Sequence, residues 1–273
     1  MKTTTTTAQT LWLHALSPVH AGTGQVSASV IDLPVAREKA TNWPLIPATT
    51  LKGVLKDATP EDSRDALFGS PSNAGSLQFG DARLVCFPVR SWKGVFAYVT
   101  SPTALNRLTR DFGALGAPFP TIAEVPSMQE TDASVTTGSA LVEKSRIWLE
   151  DLDLTASESV ETQAIAESIA AAVFPEGERA AFIARFVIVS DDLFDFLTET
   201  ATAVTARVSL EEASKTVKSG GLWYEESVPA EAIFVAPVLG RNESVLPTLP
   251  AVLQFGGNET VGQGLCRVTM VKR

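Results

Sequence analysis

Residues 10–38, TLWLHALSPVHAGTGQVSASVIDLPVARE, open on an alternating bulky run and then lose all periodicity. TLWLHAL (10–16) has the two-residue alternation of a strand. Pro18 and the Gly22/Gly24 pair break it into a loop. Further on, Asp32 stands between Ile31 and Leu33, where it suits either a turn residue or a carboxylate that meets a ligand.

The mixture of strands and fewer helices continues from there. PLIPATTLKGVLKDA (44–58) reads as a turn and a short helix, with Thr49 or Thr50 as N-cap and Leu51, Val54 and Leu55 on one face. SLQFGDARLVCFPV (76–89) and GVFAYVT (94–100) read as strands, and SPTALNRLTRDFG (101–113) as a helix stopped by its glycine. Residues 114–140 are rich in Pro, Ser, Thr and Ala without a period, which predicts a long irregular insertion. KSRIWLEDLDLTAS (144–157) reads as a strand and turn, and ETQAIAESIAAAVF (161–174) as a helix. RFVIVSDDLFDFLTETA (185–201) is a strand entering a helix capped by Ser190. ARVSL, GLWYEESVPAEAIFVAPVL and GLCRVTMVK complete the series. The fold class is α+β, an antiparallel-leaning sheet with helices packed against it and no solenoid repeat.

Composition narrows the function. The 273 residues are 45% hydrophobic and 19% charged, which fits a globular chain and excludes wholesale disorder. No stretch approaches the roughly 18 apolar residues of a membrane span, and MKTTTTTAQT lacks the apolar core of a signal peptide. Cys86 and Cys266 are too few for a thiolate cluster or a disulfide framework, so a reducing, cytoplasmic setting is expected. The net charge of −9 counts against a broad basic footprint for nucleic acid. Charge acts locally, however. The acids gather in LEDLDL (149–154) and SDDLFDF (190–196), while segment 35–56 carries Arg37, Lys39, Lys52 and Lys56 against Glu38 alone.

Four short constellations can carry chemistry. GGNETVGQGL (256–265) holds Gly256, Gly257, Gly262 and Gly264, which suits a tight turn or a backbone cradle for phosphate. It lacks the Gly-Lys-Ser/Thr of a P-loop. IPATTLKG (46–53) is either a capped helix with a solvated lysine or a phosphate site at a helix N-terminus. Of the two histidines, His14 shares the face of Trp12 and Leu16 and reads as core, while His20 in the glycine loop is placed to meet a ligand. Neither has companions at zinc-site spacing, and no GxSxG elbow is present. GLWYEESVPAEAIF (221–234) sets Trp223 and Tyr224 beside Glu225 and Glu226, as a packed strand with an acidic edge or as an aromatic surface for an unstacked base.

Taken in order, LHALSPVHAGTGQ…VIDLPVARE, WPLIPATTLKGVLKD, GSLQFGDARLVCFPVRS, LEDLDL, LWYEESVP and FGGNETVGQGLCRV resemble the RAMP proteins of CRISPR effector complexes. The closest resemblance is to the repeated backbone subunit of the type III-B (Cmr) complex, and it covers nearly the whole chain as a single RAMP domain. It implies a modified ferredoxin-like (RRM-like) palm with inserted finger and thumb extensions. It also implies copies stacked head to tail along CRISPR RNA with other effector subunits, and cleavage of complementary single-stranded target RNA at regular intervals. The family's catalytic aspartate falls on Asp32, its loop histidine on His20, and its functional acid on Glu225 or Glu226. RNA contacts fall on Lys52, Thr50, Arg37, Gly22 and Gly24 and on Gly256, Gly257, Gly262 and Gly264.

RNA brings its own nucleophile in the 2′-OH, so cleavage needs in-line geometry, a base and help for the leaving oxygen. A carboxylate with an ordinary pKa of about 4 is a weak base for a hydroxyl. That favours a divalent ion, magnesium, held by Asp32 and RNA oxygens. Two other readings stay open at this point. One is a structural backbone subunit that binds CRISPR RNA without nuclease activity. The other is the equivalent type III-A subunit, against which LWYEESVP argues.

Overall fold

The computed structural model describes residues 6–24, 30–122 and 124–272. Its centre is β1 (Thr6–Ala15), whose last eight residues are all buried. A strand apolar on both faces must be covered on both, and β1 is. Leu11, Leu13 and Ala15 join one core cluster, while Ala8 and Trp12 join another. The first is closed by α1 (Ala48–Asp57), α2 (Glu61–Phe68) and α6 (Asp191–Thr200) through Leu51, Leu55, Phe68, Phe194 and Leu197. The second is closed by α3 (Pro102–Leu115), α4 (Val160–Val173) and α5 (Glu176–Ile183) through Leu105, Phe112, Ile165, Ile169 and Phe182. Each such side chain, fully buried, stabilises by roughly 1.5–3 kcal/mol.

β1 runs antiparallel to both neighbours, β14 (Ile233–Arg241) and β16 (Leu265–Lys272). β15 (Val252–Gln254) edges the sheet beyond β16. On the other side β14 is followed by β6 (Ala82–Arg90), β7 (Phe96–Thr100) and β11 (Phe186–Val189). Then come β8 (Asp132–Val135), β10 (Leu152–Glu158) and β9 (Arg146–Leu149). Short strands β2 (Leu45–Ile46) and β5 (Leu77–Phe79) pair with β6 and β14. The β7–β11 and β8–β10 pairs are parallel and the rest antiparallel. This is the α+β, antiparallel-leaning architecture expected from the pattern.

Two hairpins stand apart from the sheet: β3 (Gly69–Ser70) with β4 (Asn73–Ala74), and β12 (Ala203–Leu210) with β13 (Val217–Ser227). No described helix is long and apolar enough to cross a membrane.

Local details differ from the sequence pattern. α1 starts at Ala48, one turn position before the expected caps, and Pro47 precedes it without a side-chain cap. Ala48 N–H donates instead to Asp81 Oδ1 at 2.7 Å, a carboxylate brought in from the β5–β6 turn. α3 continues through Gly113 and ends at Gly116, which takes the left-handed conformation of a helix stop. Within 114–140, residues 132–135 form β8 in the interior of the sheet.

Candidate functional site

β13 passes from solvent into the core within three residues: Tyr224 is 41% exposed, Glu225 5% and Glu226 3%. The segment after the glycine loop lies alongside in parallel, bridging Leu33 to Glu225. Asp32 N–H and Leu33 N–H both donate to the Tyr224 carbonyl at 3.1 Å, and Glu226 N–H donates to the Leu33 carbonyl at 3.0 Å. Tyr224 N–H in turn donates to Asp32 Oδ2 at 2.8 Å. The half-buried Asp32 is therefore held at both backbone and side chain. Its second oxygen has no partner among the described residues.

The adjacent acids are occupied differently. Glu226 accepts from Val35 N–H at 3.0 Å, Arg37 Nη2 at 2.5 Å and Thr202 Oγ1 at 2.9 Å. Three donors are what a carboxylate this deeply buried requires. Arg37 also donates from Nη1 to the Asn42 and Thr198 carbonyls, so its guanidinium is committed inside the chain. Glu225 accepts from Asn258 Nδ2, with Arg207 Nη2 at 3.5 Å. Asn258 Nδ2 reaches Gln263 Oε1 as well, at 3.0 Å, which ties the C-terminal glycine loop to β13.

His20 sits where the two glycine loops meet. Its Nδ1 lies 2.6 Å from the Glu226 carbonyl. A carbonyl only accepts, so Nδ1 carries a ring proton and Nε2 is the nitrogen left for a ligand. A side chain at Gly22 would put its Cβ 2.7 Å from that Nε2, and one at Gly256 would put it 2.3 Å from the His20 carbonyl oxygen. Gly257 N–H donates to the same oxygen at 2.8 Å. These glycines let both loops close on His20. Gly264 N–H donates to the Pro18 carbonyl, whereas Gly24 and Gly262 face open space.

The structure thus gathers His20, Gly22, Asp32, Arg37, Glu225, Glu226 and the 256–264 loop at one corner. Lys52 and Thr50 lie apart on α1 and share no hydrogen bond with it. Lys52 is exposed and lines a cleft with Lys56 and the β3–β4 hairpin. Sequence reading had passed over Asn258 and Arg207. Asn258 has φ of +64°, and an asparagine after a glycine pair is the available signal, because few other residues tolerate that conformation. Arg207 carries no local signal.

A second polar cluster lies on the opposite side of β1. His14 is 5% exposed, packs edge-on to Phe174, and meets Glu231 Oε2 at 2.8 Å, as its strand position implied. Tyr98 also donates to Glu231. Burial, with the Glu231 carboxylate beside it, pushes the Tyr98 hydroxyl up. Glu231 is itself pushed up by burial, but hydrogen bonds from His14 and Tyr98 outweigh this and leave it lowered. Cys86 and Cys266 are buried and unpaired, and burial pushes the Cys266 thiol up to about 12, which removes it as a nucleophile at neutral pH. Among the described residues, no three of His, Cys, Asp and Glu converge as a metal site.

The chain as a whole is similar to known proteins. Residues 12–267 match the RAMP superfamily. The CRISPR system Cmr endoribonuclease Cmr4 of Pyrococcus furiosus is 35% identical, with 94% of each chain covered. The CRISPR system CMR subunit Cmr4 of Saccharolobus solfataricus is 24% identical, with 93% of each covered. Among solved structures, oligomeric Cmr4 from Pyrococcus furiosus superposes with a TM-score of 0.78 at 28% identity, covering 98% of each chain. A type III-B Cmr-beta structure bound to cognate target RNA, at 21% identity and a TM-score of 0.76 over 96% of each chain, shares the fold. Matched over nearly its whole length, the chain belongs to the RAMP superfamily.

Proposed function

We propose that this chain is the repeated backbone subunit of a type III-B CRISPR effector complex, binding CRISPR RNA and cutting complementary target RNA at regular intervals with Asp32. The relative from Pyrococcus furiosus is named a Cmr endoribonuclease, and its solved form is oligomeric. The observation that carries the reading is the state of Asp32. One of its oxygens is fixed by Tyr224 N–H and the other has no partner among the described residues, at the foot of a hairpin that exposes Tyr224. A splayed target nucleotide stacked on that aromatic surface can take the in-line geometry that A-form stacking prevents.

In this reading Asp32 accepts the 2′-hydroxyl proton, and His20, when Nε2 also carries a proton, gives it to the leaving oxygen or donates it as a hydrogen bond to phosphate. Glu225 and Glu226 are positioning residues: Glu226 holds Arg37 and the 33–35 segment, and Glu225 holds the 256–264 loop. That loop, with Gly22 and Gly24, follows the guide backbone, and Lys52 and Thr50 meet it on α1. Alternatively, that free Asp32 oxygen would hold a divalent ion, magnesium, arriving with the RNA, whose oxygens would complete its shell, and the ion would supply positive charge to the reaction. Other copies of the chain stack head to tail with it, other effector subunits complete the complex, and the cytoplasm is its setting.

Replacing Asp32 by Ala in an assembled complex is expected to reduce target cleavage by about 10²–10⁴-fold while assembly and guide retention persist. Cleavage continuing at the same spacing would move the nuclease elsewhere and leave this chain a structural RNA-binding subunit.

A further inference from the structure

The turn between β6 and β7 is held firmly although it lies at the surface. Ser91 N–H donates to the Val95 carbonyl and Phe96 N–H to the Gly94 carbonyl, both at 3.0 Å. Arg185 Nε donates to the Gly94 carbonyl at 2.9 Å, and Lys93 Nζ reaches the Val142 carbonyl. Trp92 N–H donates to the Trp148 carbonyl of β9 at 3.2 Å. Gly94 packs so closely on its neighbour that a Cβ there would lie 2.9 Å from Leu141 Cδ2. Within this frame Val95 takes φ of +75°, which a β-branched residue adopts only under constraint. What the frame presents is apolar. Trp92 is 84% exposed and Val95 75%, and the Trp92 indole has no hydrogen-bond or ring partner among the described residues. Strain and exposed apolar surface both cost the isolated chain stability, and a surface that covers the tip relieves the second. Beside the tip stands Asp151, fully exposed, with Arg90 Nη2 4.0 Å away.

A complementary surface lies at the other end of the strand order. Between the α4–α5 turn and strands β15 and β16 is an open groove of about 470 Å³, walled by Ala171, Phe174, Pro175 and Val252. Two arginines line it as well. Arg267 is taken up by Glu178, through bonds of 2.7 and 3.0 Å. Arg179 uses only Nε, on the Phe174 carbonyl at 3.0 Å, and its terminal amino groups have no partner among the described residues. An apolar groove with a free guanidinium matches an exposed indole with a free carboxylate at its side. No residue of the β6–β7 turn lines the groove, so one chain carries the plug and the next can carry the socket. Two unlike patches of this kind join copies head to tail without closing a ring of two.

We propose that the β6–β7 turn of one copy, led by Trp92, docks in the α4–β16 groove of the next, with Asp151 against Arg179. The proposal rests on the head-to-tail stacking above and names the anchor that holds one copy to another. A few aromatic anchors in apolar pockets carry most of the energy of a protein interface. A tip already fixed in its frame loses little freedom on docking.

The test has a covalent and an energetic arm, both on the full chain with guide RNA and the other effector subunits. Val95 and Val252 are exposed, while Cys86 and Cys266 are buried. A chain with both Val95→Cys and Val252→Cys is expected to give a ladder of disulfide-linked multimers under a mild oxidant. Either change alone should give none, and a mixture of the two single variants should give dimers only. In the energetic arm, Trp92→Ala should weaken association between copies by about 30-fold or more, read by analytical ultracentrifugation, at an unchanged melting temperature. Asp151→Arg or Arg179→Glu should each weaken it by about two- to fivefold, and the two together should restore it. Copies that stay associated through all these changes, with no ladder, overturn the docking and leave the stacking reading in place. If Trp92→Ala instead releases a different effector subunit while copies stay associated, that subunit is the occupant and the proposal falls. If the unaltered chain forms no multimer, alone or with guide RNA, the stacking reading falls and the docking with it.

Discussion

The Asp32 corner is assigned to the target RNA and the outer face of α1 to the guide RNA, and the two are built in opposite ways. At the corner the acids are satisfied inside the chain: Glu226 by Arg37, Glu225 by the Asn258 amide with Arg207 beside it. On the helix, Lys52 is exposed and unpaired among the described residues. The difference follows from what each must do. A group that reacts must be aimed before its substrate arrives, which calls for buried, fully satisfied supports. A surface that only holds a polyanion works with long, hydrated side chains free to track it.

The comparison breaks first at Glu226. Glu226→Ala leaves the Arg37 guanidinium, whose side chain is 16% exposed, without its carboxylate. The expected loss is roughly 3–5 kcal/mol of stability by denaturant unfolding, against almost none for Lys52→Gln. Equal losses at the two positions would erase the distinction. A smaller effect is expected at Asn258. Asn258→Ala leaves the buried Glu225 with only Arg207 at 3.5 Å, and should lower stability by about 1–3 kcal/mol. It should also reduce target cleavage more than guide retention, since the loop would lose its tie to β13. The smallest effect concerns Glu38, on the segment that joins the two regions. Its bidentate hydrogen bonds from Arg107 outweigh burial and hold its carboxyl below the ordinary 4.5. That stability is fully present above 4.5 and is lost as pH falls through the lowered folded value. It is worth under about 1 kcal/mol, because the pair remains partly in solvent. Thermal melting as a function of pH should show Arg107→Gln melting slightly below the unaltered chain at neutral pH, with the gap closing as pH falls below 4.5.

Much of the framework was legible because periodicity reports burial directly. TLWLHAL, ETQAIAESIAAAVF and the strand–cap–helix of 185–201 sit where their patterns place them, with Ser190 Oγ accepting from Leu193 N–H. What failed were features set by partners distant in sequence. The start of α1 is satisfied by Asp81, 33 residues away, so no local cap residue marks it. β8 is short, and only its place between β10 and β11 makes it a strand. At the site, the glycines were visible as composition, but their meaning depends on His20 arriving from the other loop. Glu225 and Glu226 could not be told apart because adjacent residues of a strand point to opposite faces, and only the packed neighbours distinguish them.

The hold on Asp32 comes from the main chain of Tyr224, not from its ring. Any residue except proline supplies that N–H. The aromatic surface of the hairpin and the aim of the carboxylate can therefore be varied independently. A variant library at position 224 would retune which nucleotides are accommodated while the cutting group keeps its direction.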